Sequence, residues 1–328
     1  MSMPRPWVAG LLASLCLFAV AAFAHDSPRT EVEGIARAIE GNYFDAARGR
    51  EIADGLREAA IAGAFDGDTD PATLADALTR RLRPLDHHFR VRWSPGGAAV
   101  PIAGMGGPIP RRVPPHAGND TGIRDVEVLP GNIGYLSLGA FVDFEFGDAD
   151  APARRAIDAA LHQLSDTAAM IIDVRGNRGG SPHMVGYLVS AFVAPSDNVY
   201  NIFHSRDGTR SEAPAQAYPH PRAGVPLYVL IDGHTGSAAE SFAYTLQGAR
   251  RAVIVGETSG GAANPGRFIA TPDGFSVFVP TGSPVNPFTH ANWEDHGVKP
   301  DVPAASSAAL ETALALARKT AKDTARKP

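Results

Sequence analysis

The segment LYVLIDGHTGSAAESFAYTL, residues 227–246, joins a strand-like apolar run to a helix-like run, and Ser237 stands at their junction. A serine between a strand and a helix lies at the carboxyl edge of an α/β sheet, where such folds place their sites. The N–H of Ala238, in the first helical turn, has no intrahelical partner and can bind an oxyanion. Serine is equally a common N-cap residue. The segment therefore allows either a nucleophile or a structural cap at Ser237.

A second strand-to-helix turn is rich in glycine. The segment DVRGNRGGSPHMV starts at Asp173, at the end of a very apolar strand, and reaches its own helix after Ser181. Gly179 and Gly180 let the backbone approach a ligand closely. Asp173 and Arg175 could simply pair to hold a structural turn, and a lone glycine pattern is weak evidence for a site.

A serine nucleophile needs a base, and eleven histidines offer candidates. His88 in LDHHFRV and Glu294 in NWEDHGVKPD both lie on loops that flank strands. Their spacing does not show whether they meet Ser237, and each could be a structural polar residue. The remaining histidines show neither cysteine partners nor a His-x-x-x-His spacing, so no metal ligand or cofactor is predicted; those considered were His183, His234, His290 and His296.

The elements that must position these residues form an N-terminal part and a C-terminal part, joined by a linker. Residues 25–93 carry apolar positions at helical spacing, which predicts an N-terminal helical bundle, with Asp70 and Pro71 starting one helix. Residues 94–122 are a Pro/Gly-rich linker without periodicity. Residues 123–328 alternate strands and helices, which predicts an α/β core with a mainly parallel sheet covered on both faces.

Residues 1–24 have the composition of a secretory signal peptide, with Arg5 before an apolar run and Ala22-Phe23-Ala24 at the cleavage site. We therefore expect a periplasmic or extracellular protein without stable membrane insertion after cleavage. Cys16, the sole cysteine, leaves with this segment, so no disulfide is expected. Of the 30 basic residues only Arg5 is lost, which leaves 29 against 35 acidic ones and makes nucleic acid an unfavoured partner.

Six motifs follow one another along the chain and together are more specific than any single residue. They are LDHHFRVRW, GNIGYLSLGAF, MIIDVRGNRGGSPHMV, TGSAAESFAYTLQ, VGETSGGAANPG and NWEDHGVKPDV. With these motifs the chain resembles the tail-specific, tricorn-type serine peptidases of the C-terminal-processing peptidase superfamily. It is most similar to the branch that contains the interphotoreceptor retinoid-binding protein modules. The resemblance implies a ClpP/crotonase-like superfold.

The resemblance also implies roles for residues. Ser237 would be the nucleophile, and the Ser-Lys dyad of the processing-peptidase branch is excluded because GETSGGAANPG contains no lysine. The tricorn-type pattern places the base at His88 and the orienting carboxylate at Glu294. The oxyanion hole would be the N–H of Ala238 with that of Gly179 or Gly180. Where that pattern has a serine beside the histidine, this chain has His87, so a fourth member of the relay and the choice between His87 and His88 stay open.

The function that follows is hydrolysis of peptides or unfolded protein by a serine-type peptidase. Residues 94–132 are too few for the PDZ domain that many relatives insert there, so capture of a protein's carboxyl terminus is not predicted. The linker could instead cover the cleft. Two alternatives are a catalytically weak or inactive carrier of an apolar ligand and an esterase that uses the same triad. The oligomeric state is not predicted.

Overall fold

A computed structural model describes residues 28–95 and 121–325. The predicted signal peptide and nearly all of the predicted linker lie outside the described residues. The helices are α1 (Pro28–Asn42), α2 (Ala46–Ile61), α3 (Pro71–Leu82), α4 (Pro152–Gln163), α5 (Pro182–Ser190), α6 (Ala238–Gly248) and α7 (Ala309–Ala325). The strands are β1 (Arg90–Trp93), β2 (Ile123–Leu129), β3 (Ile133–Leu138), β4 (Ala169–Asp173), β5 (Ile202–Ser205), β6 (Gly208–Ser211), β7 (Leu227–Ile231), β8 (Val253–Gly256), β9 (Gly266–Ala270), β10 (Phe275–Pro280), β11 (Ser283–Val285) and β12 (Val302–Pro303).

The central sheet has six strands in the order β12-β8-β7-β4-β3-β2. Only the β2–β3 pair is antiparallel, and the other pairs are parallel. Because side chains alternate across a sheet, one face packs on α4, α5 and α6 while the other packs on α7. The prediction of an α/β fold with a mainly parallel sheet is confirmed.

The N-terminal helices begin where the sequence supplies caps. The Asp45 carboxylate accepts from the N–H groups of Ala47 and Arg48 at the start of α2. Asp70 accepts from Thr73 at the start of α3, with Pro71 in the first turn, as the sequence predicted. The apolar faces of the three helices form one core.

That core also contains residues from late in the chain. Strand β10 pairs with β1 and β9 in an antiparallel three-stranded sheet, rather than joining the parallel sheet as its place in the sequence had indicated. Its residues Phe275, Val277 and Val279 are buried against the helices, because their alternate positions face the same side of the strand. The segment that carries His88 is thus fixed on a layer of its own, apart from the central sheet.

No helix in the described ranges is both long and apolar enough to cross a membrane.

Candidate active site

Ser237 lies at the sharp turn from β7 into α6. Its backbone has φ 52° and ψ −121°, a left-handed conformation that a residue with a Cβ rarely adopts. Such a conformation costs on the order of 1–3 kcal/mol and persists only where the surroundings enforce it. A strained strand-to-helix turn that holds a serine is the geometry of a nucleophile elbow.

The buried carboxylate of Glu240 helps to enforce this turn. Its Oε2 accepts a hydrogen bond of 2.7 Å from the N–H of Ser237. The same side chain accepts from the Ser259 hydroxyl and from the N–H groups of Gly261 and Ala262. Burial raises the pKa of Glu240, and these four donors oppose the increase. Glu240 was not singled out from the sequence, although Ser-x-x-Glu at a helix start is the pattern of a capping box.

The glycine turn after β4 lies directly against the elbow. A Cβ on Gly179 would stand 2.8 Å from the Cβ of Ser237 and 2.9 Å from the N of Ala238. Gly180, at φ 141°, lies so close to the backbone of Phe141 that a side chain would collide with it. Both glycines therefore permit approaches that other residues would block.

The two N–H groups nominated at this turn differ. Gly179 donates its N–H to Oδ1 of Asn177 at 2.9 Å. Among the described residues, the N–H groups of Gly180 and Ala238 have no recorded acceptor. Asn177 is fully buried. Its side-chain amide donates to the Leu138 carbonyl, and its backbone carbonyl accepts from the N–H of Gly236. The N–H groups of Gly180 and Ala238 are therefore the candidate oxyanion donors.

Buried polar groups fasten the glycine turn to the serine turn. The Asp232 carboxylate, at the end of β7, accepts from the N–H groups of Gly176 and His234. The Thr235 hydroxyl donates to the Val174 carbonyl. Asp232 and Asn177 were missed in the sequence because neither belongs to a recognisable catalytic pattern. The predicted alternative role of Asp173 is also present, since it pairs with Arg175.

His88 lies at the entrance to β1 and its side chain is only 6% exposed. Its Nδ1 is 3.1 Å from Oδ1 of Asp86 and 3.1 Å from Oε1 of Glu294. Burial alone would lower the pKa of His88, but these two carboxylates outweigh burial and raise the pKa to about 9. The structure thus brings together His88 and Glu294, which are more than 200 positions apart in the sequence.

Asp86 connects this histidine to the N-terminal helices. Its Oδ1 accepts from the His88 backbone N–H, and its Oδ2 accepts from the Tyr43 hydroxyl at 2.9 Å. Burial would raise the pKa of Asp86, yet the donors, led by His88, hold it below its usual value. Asp86 was not predicted as a site residue from the sequence, and the structure shows it in direct contact with the imidazole.

His87 and His88 have different surroundings. The His87 ring is 38% exposed and lies 4.1 Å from the His88 ring, centroid to centroid. Its Nδ1 contacts Oε1 of Glu294 at 3.3 Å and also contacts Asp295. The Nε2 of His88 is buried and has no hydrogen-bond partner, and His87 is the more exposed of the two rings. Burial and the free Nε2 favour His88 as the base.

One loop connects the serine to the histidine. The Glu240 carboxylate holds residues 259–262, and Oε2 of Glu294 accepts from the N–H groups of Ala263 and Asn264 at 2.8 and 2.9 Å. The two carboxylates therefore fix consecutive parts of the same loop. No hydrogen bond joins Ser237 to His88 in this structure, because Nε2 of His88 has no partner.

Within the described ranges, one group of histidine and acidic side chains is close enough to share a metal ion, namely Asp86, His87, His88 and Glu294. This group does not include His183, His234, His290 or His296. One of them, His183, instead lies 3.3 Å from Asp143.

Similarity to known proteins identifies the family of the chain. Residues 132–304 match the family model described as Peptidase family S41. A carboxyl-terminal-processing protease of Synechocystis sp. is 30% identical over 172 residues, covering 52% of this chain and 37% of that protein. Carboxyl-terminal-processing peptidase 3 of Arabidopsis thaliana chloroplasts is 24% identical over 307 residues, covering 86% of this chain and 52% of that protein.

Solved structures show the same fold. A peptidase structure from Parabacteroides merdae aligns with a TM-score of 0.63 at 18% identity, covering 89% of this chain and 97% of that one. The tricorn protease aligns with a TM-score of 0.54 at 12% identity, covering 90% of this chain and 37% of that one. The chain spans about half or less of the length of the curated relatives it matches. Because the family model matches more than half of its residues, the chain belongs to peptidase family S41, a family of serine-type peptidases.

Proposed function

We propose that the chain hydrolyses peptide bonds with Ser237 as nucleophile, His88 as general base and Glu294 as the group that orients His88. One observation carries the proposal: a strained serine stands beside two unengaged N–H groups, and a loop fixed by Glu240 and Glu294 connects it to a buried histidine. A structural N-cap would need neither the strain nor the adjacent donors.

The reaction is acyl transfer. The Ser237 hydroxyl attacks the substrate carbonyl while its proton passes to Nε2 of neutral His88, the form that becomes more populated as pH rises toward the raised pKa of about 9. The N–H groups of Ala238 and Gly180 donate to the oxyanion, and Glu294 with Asp86 stabilises the imidazolium. His88 then returns the proton to the leaving amine, and water releases the acyl group by the same route in reverse. The proposal requires the Ser237 hydroxyl and Nε2 of His88 to come within hydrogen-bond distance when substrate binds, and catalytic hydrogen bonds often form fully only in the substrate complex.

The substrate we propose is a peptide or an unfolded segment of protein. The relatives named above are carboxyl-terminal-processing proteases, but residues 94–132 are fewer than an ordinary domain requires, so the proposal does not include capture of a protein tail by a PDZ domain inserted there. This supports the branch without a PDZ domain. The signal-like residues 1–24 support action in the periplasm or outside the cell.

The test is labelling of the purified protein with a fluorophosphonate probe, comparing wild type with Ser237→Ala, His88→Ala and His87→Ala, each checked for folding. We expect stoichiometric labelling that Ser237→Ala abolishes. His88→Ala should slow labelling by about 10²- to 10⁴-fold, because general-base catalysis contributes that much. His87→Ala should slow it far less.

The outcomes separate the alternatives. A folded wild-type protein that never labels, even with peptide present, contradicts the proposal and favours the carrier of an apolar ligand. Labelling that His87→Ala slows more than His88→Ala would reassign the base. Turnover of small esters without cleavage of an unfolded protein would favour the esterase.

A further inference from the structure

The cluster around His88 holds more ligand groups than a catalytic triad requires. One ligand atom from each of Asp86, His87, His88 and Glu294 lies within 4.8 Å of all the others. Both histidines direct Nδ1 toward the same Oε1 of Glu294, at 3.1 and 3.3 Å. A triad uses one imidazole per carboxylate, so the second histidine is unexplained by the proposed reaction.

The shortest contacts of the cluster have the spacing of ligand atoms around a metal ion, and all four ligand atoms lie within 4.8 Å of one another. Ligand atoms about 2.0–2.1 Å from a tetrahedral zinc ion lie about 3.3 Å from one another. Three of the contacts have about this spacing: 3.1 Å between His88 and Asp86, 3.1 Å between His88 and Glu294, and 3.3 Å between His87 and Glu294. Two imidazole nitrogens with carboxylate oxygens form a ligand set that suits zinc and related transition metals, rather than calcium or magnesium.

The surroundings also favour a cation. Three carboxylates, those of Asp86, Glu294 and Asp295, lie against the two imidazoles. Oε1 of Glu294 is turned toward the Nδ1 atoms of both histidines, while its Oε2 takes both backbone donors of the loop. A cation bound between these groups would offset the buried negative charge of the carboxylates.

We propose that Nδ1 of His87, Nδ1 of His88 and Oε1 of Glu294, with Asp86 as fourth ligand, form an inhibitory site for a divalent transition metal such as Zn²⁺. The inhibition rests on the proposed function of His88. A neutral imidazole that binds metal through Nδ1 carries its proton on Nε2. Nε2 is then a donor and does not accept the Ser237 proton, so the metal switches the base off without touching the serine.

The sequence did not reveal this site, because residues 86–88 and Glu294 meet only in the tertiary structure. His88 and Glu294 alone form a pair in which the carboxylate orients the imidazole. His87 adds the second imidazole nitrogen that a metal site needs. It is exposed enough for a metal ion to enter, whereas His88 behind it is buried.

Binding and inhibition are tested separately on the full protein. Calorimetric titration with Zn²⁺ should give one site, with binding weakened at least tenfold in His87→Ala. Glu294→Gln, which keeps an oxygen for the Ala263 and Asn264 N–H groups, should weaken it similarly. His162→Ala, which removes an exposed histidine of α4, is the matched control and should leave the titration unchanged.

Inhibition is read from the rate of fluorophosphonate labelling. Zn²⁺ should slow labelling of wild type at the concentrations that saturate the calorimetric site, and EDTA should restore the rate. Each variant is compared with its own metal-free rate, so a lower basal rate in His87→Ala does not confuse the result, and this variant should need at least tenfold more Zn²⁺.

Unweakened Zn²⁺ binding in both folded variants would overturn the site. If the variants lose Zn²⁺ binding but Zn²⁺ does not slow the labelling of wild type, the site exists but the proposed inhibition is wrong. If wild type never labels, the proposed function fails, while calorimetry still tests the metal site.

Discussion

The serine side and the histidine side of this site are constructed differently. Ser237 is placed by backbone geometry: a strained turn, two close glycines and buried groups such as Asn177 and Glu240 that bind main-chain N–H groups. His88 is placed by side chains from separate segments, with Asp86 and Tyr43 on one side and Glu294 on the other. The first side is rigid because a parallel sheet supports it, and the second depends on how two layers pack.

This difference predicts how each side fails. Adding atoms should disrupt the serine side, where backbone segments lie in van der Waals contact. Removing single hydrogen bonds should affect the histidine side by smaller steps, because several charged partners share the task.

Gly179→Ala should have the largest effect. At φ 110° its new Cβ would strike the Cβ of Ser237 at 2.8 Å and displace the elbow. A displacement of about 1 Å at a reacting group can cost about 10²-fold in rate, so we expect labelling to slow by that factor or more. Gly176→Ala is the control, because that glycine also has positive φ but its Cβ would meet nothing closer than 3.8 Å. Equal rates for the two variants would contradict a rigid elbow.

Glu240→Ala should follow. It leaves the N–H of Ser237 and three donors of the loop without their acceptor, which costs about 1–3 kcal/mol of stability and loosens both reacting groups. We expect labelling to slow by about tenfold or more, with partial recovery in Glu240→Gln. Asp45→Ala removes a similar capping carboxylate from α2 and should lower stability but not labelling. Labelling unaffected in folded Glu240→Ala would contradict this role.

Tyr43→Phe tests the histidine side. It removes the 2.9 Å hydrogen bond to Asp86, a loss of roughly 1–2 kcal/mol, and should lower the labelling rate only a few-fold because Glu294 still contacts His88. Tyr228→Phe, which removes a hydroxyl bonded to Thr320 under α7, should not change the rate. A loss as large as that of Gly179→Ala would erase the contrast between the two sides.

Glu212→Gln should have the smallest effect and should act on stability alone. The buried Glu212 accepts hydrogen bonds from Asn201 and from Ser241, which lies on α6 one turn after Ser237. Burial raises the pKa of Glu212 to about 7. Because the native pKa exceeds the unfolded value near 4.5, the native state binds the extra proton and stability falls as pH rises from about 4.5 to 7. The melting temperature of Glu212→Gln relative to wild type should therefore be higher at pH 8 than at pH 5. The exposed Glu58→Gln should show no such change.

The sequence predicted a large part of the fold because its signals are local. Asp70 with Pro71 marked the start of α3, and the buried runs of β4 and β7 marked central strands. Short strands such as β5, β6 and β11 were not predicted, since they have few buried residues and are defined by their partners. The partners of β10 were not foreseen either, because its apolar alternation fits either sheet.

The candidate site divides in the same way. Ser237, Ala238, Gly179 and Gly180 follow from two strand-to-helix turns that neighbouring parallel strands bring to one edge, so local pattern was enough to nominate them. His88 and Glu294 were nominated through family resemblance, and no rule of spacing joins them.

By itself, then, the sequence determined the main helices and the central strands, the α/β class and the strand-to-helix turn that carries Ser237, because these depend on periodicity, caps and glycine within a few residues. Only the tertiary structure decided that His88 is buried between Asp86 and Glu294, that Glu240 and Glu294 hold one loop, and that His87 joins them in one cluster of side chains. Contacts between residues hundreds of positions apart are fixed by the packing of two layers, and that packing depends on the whole buried surface rather than on any local pattern.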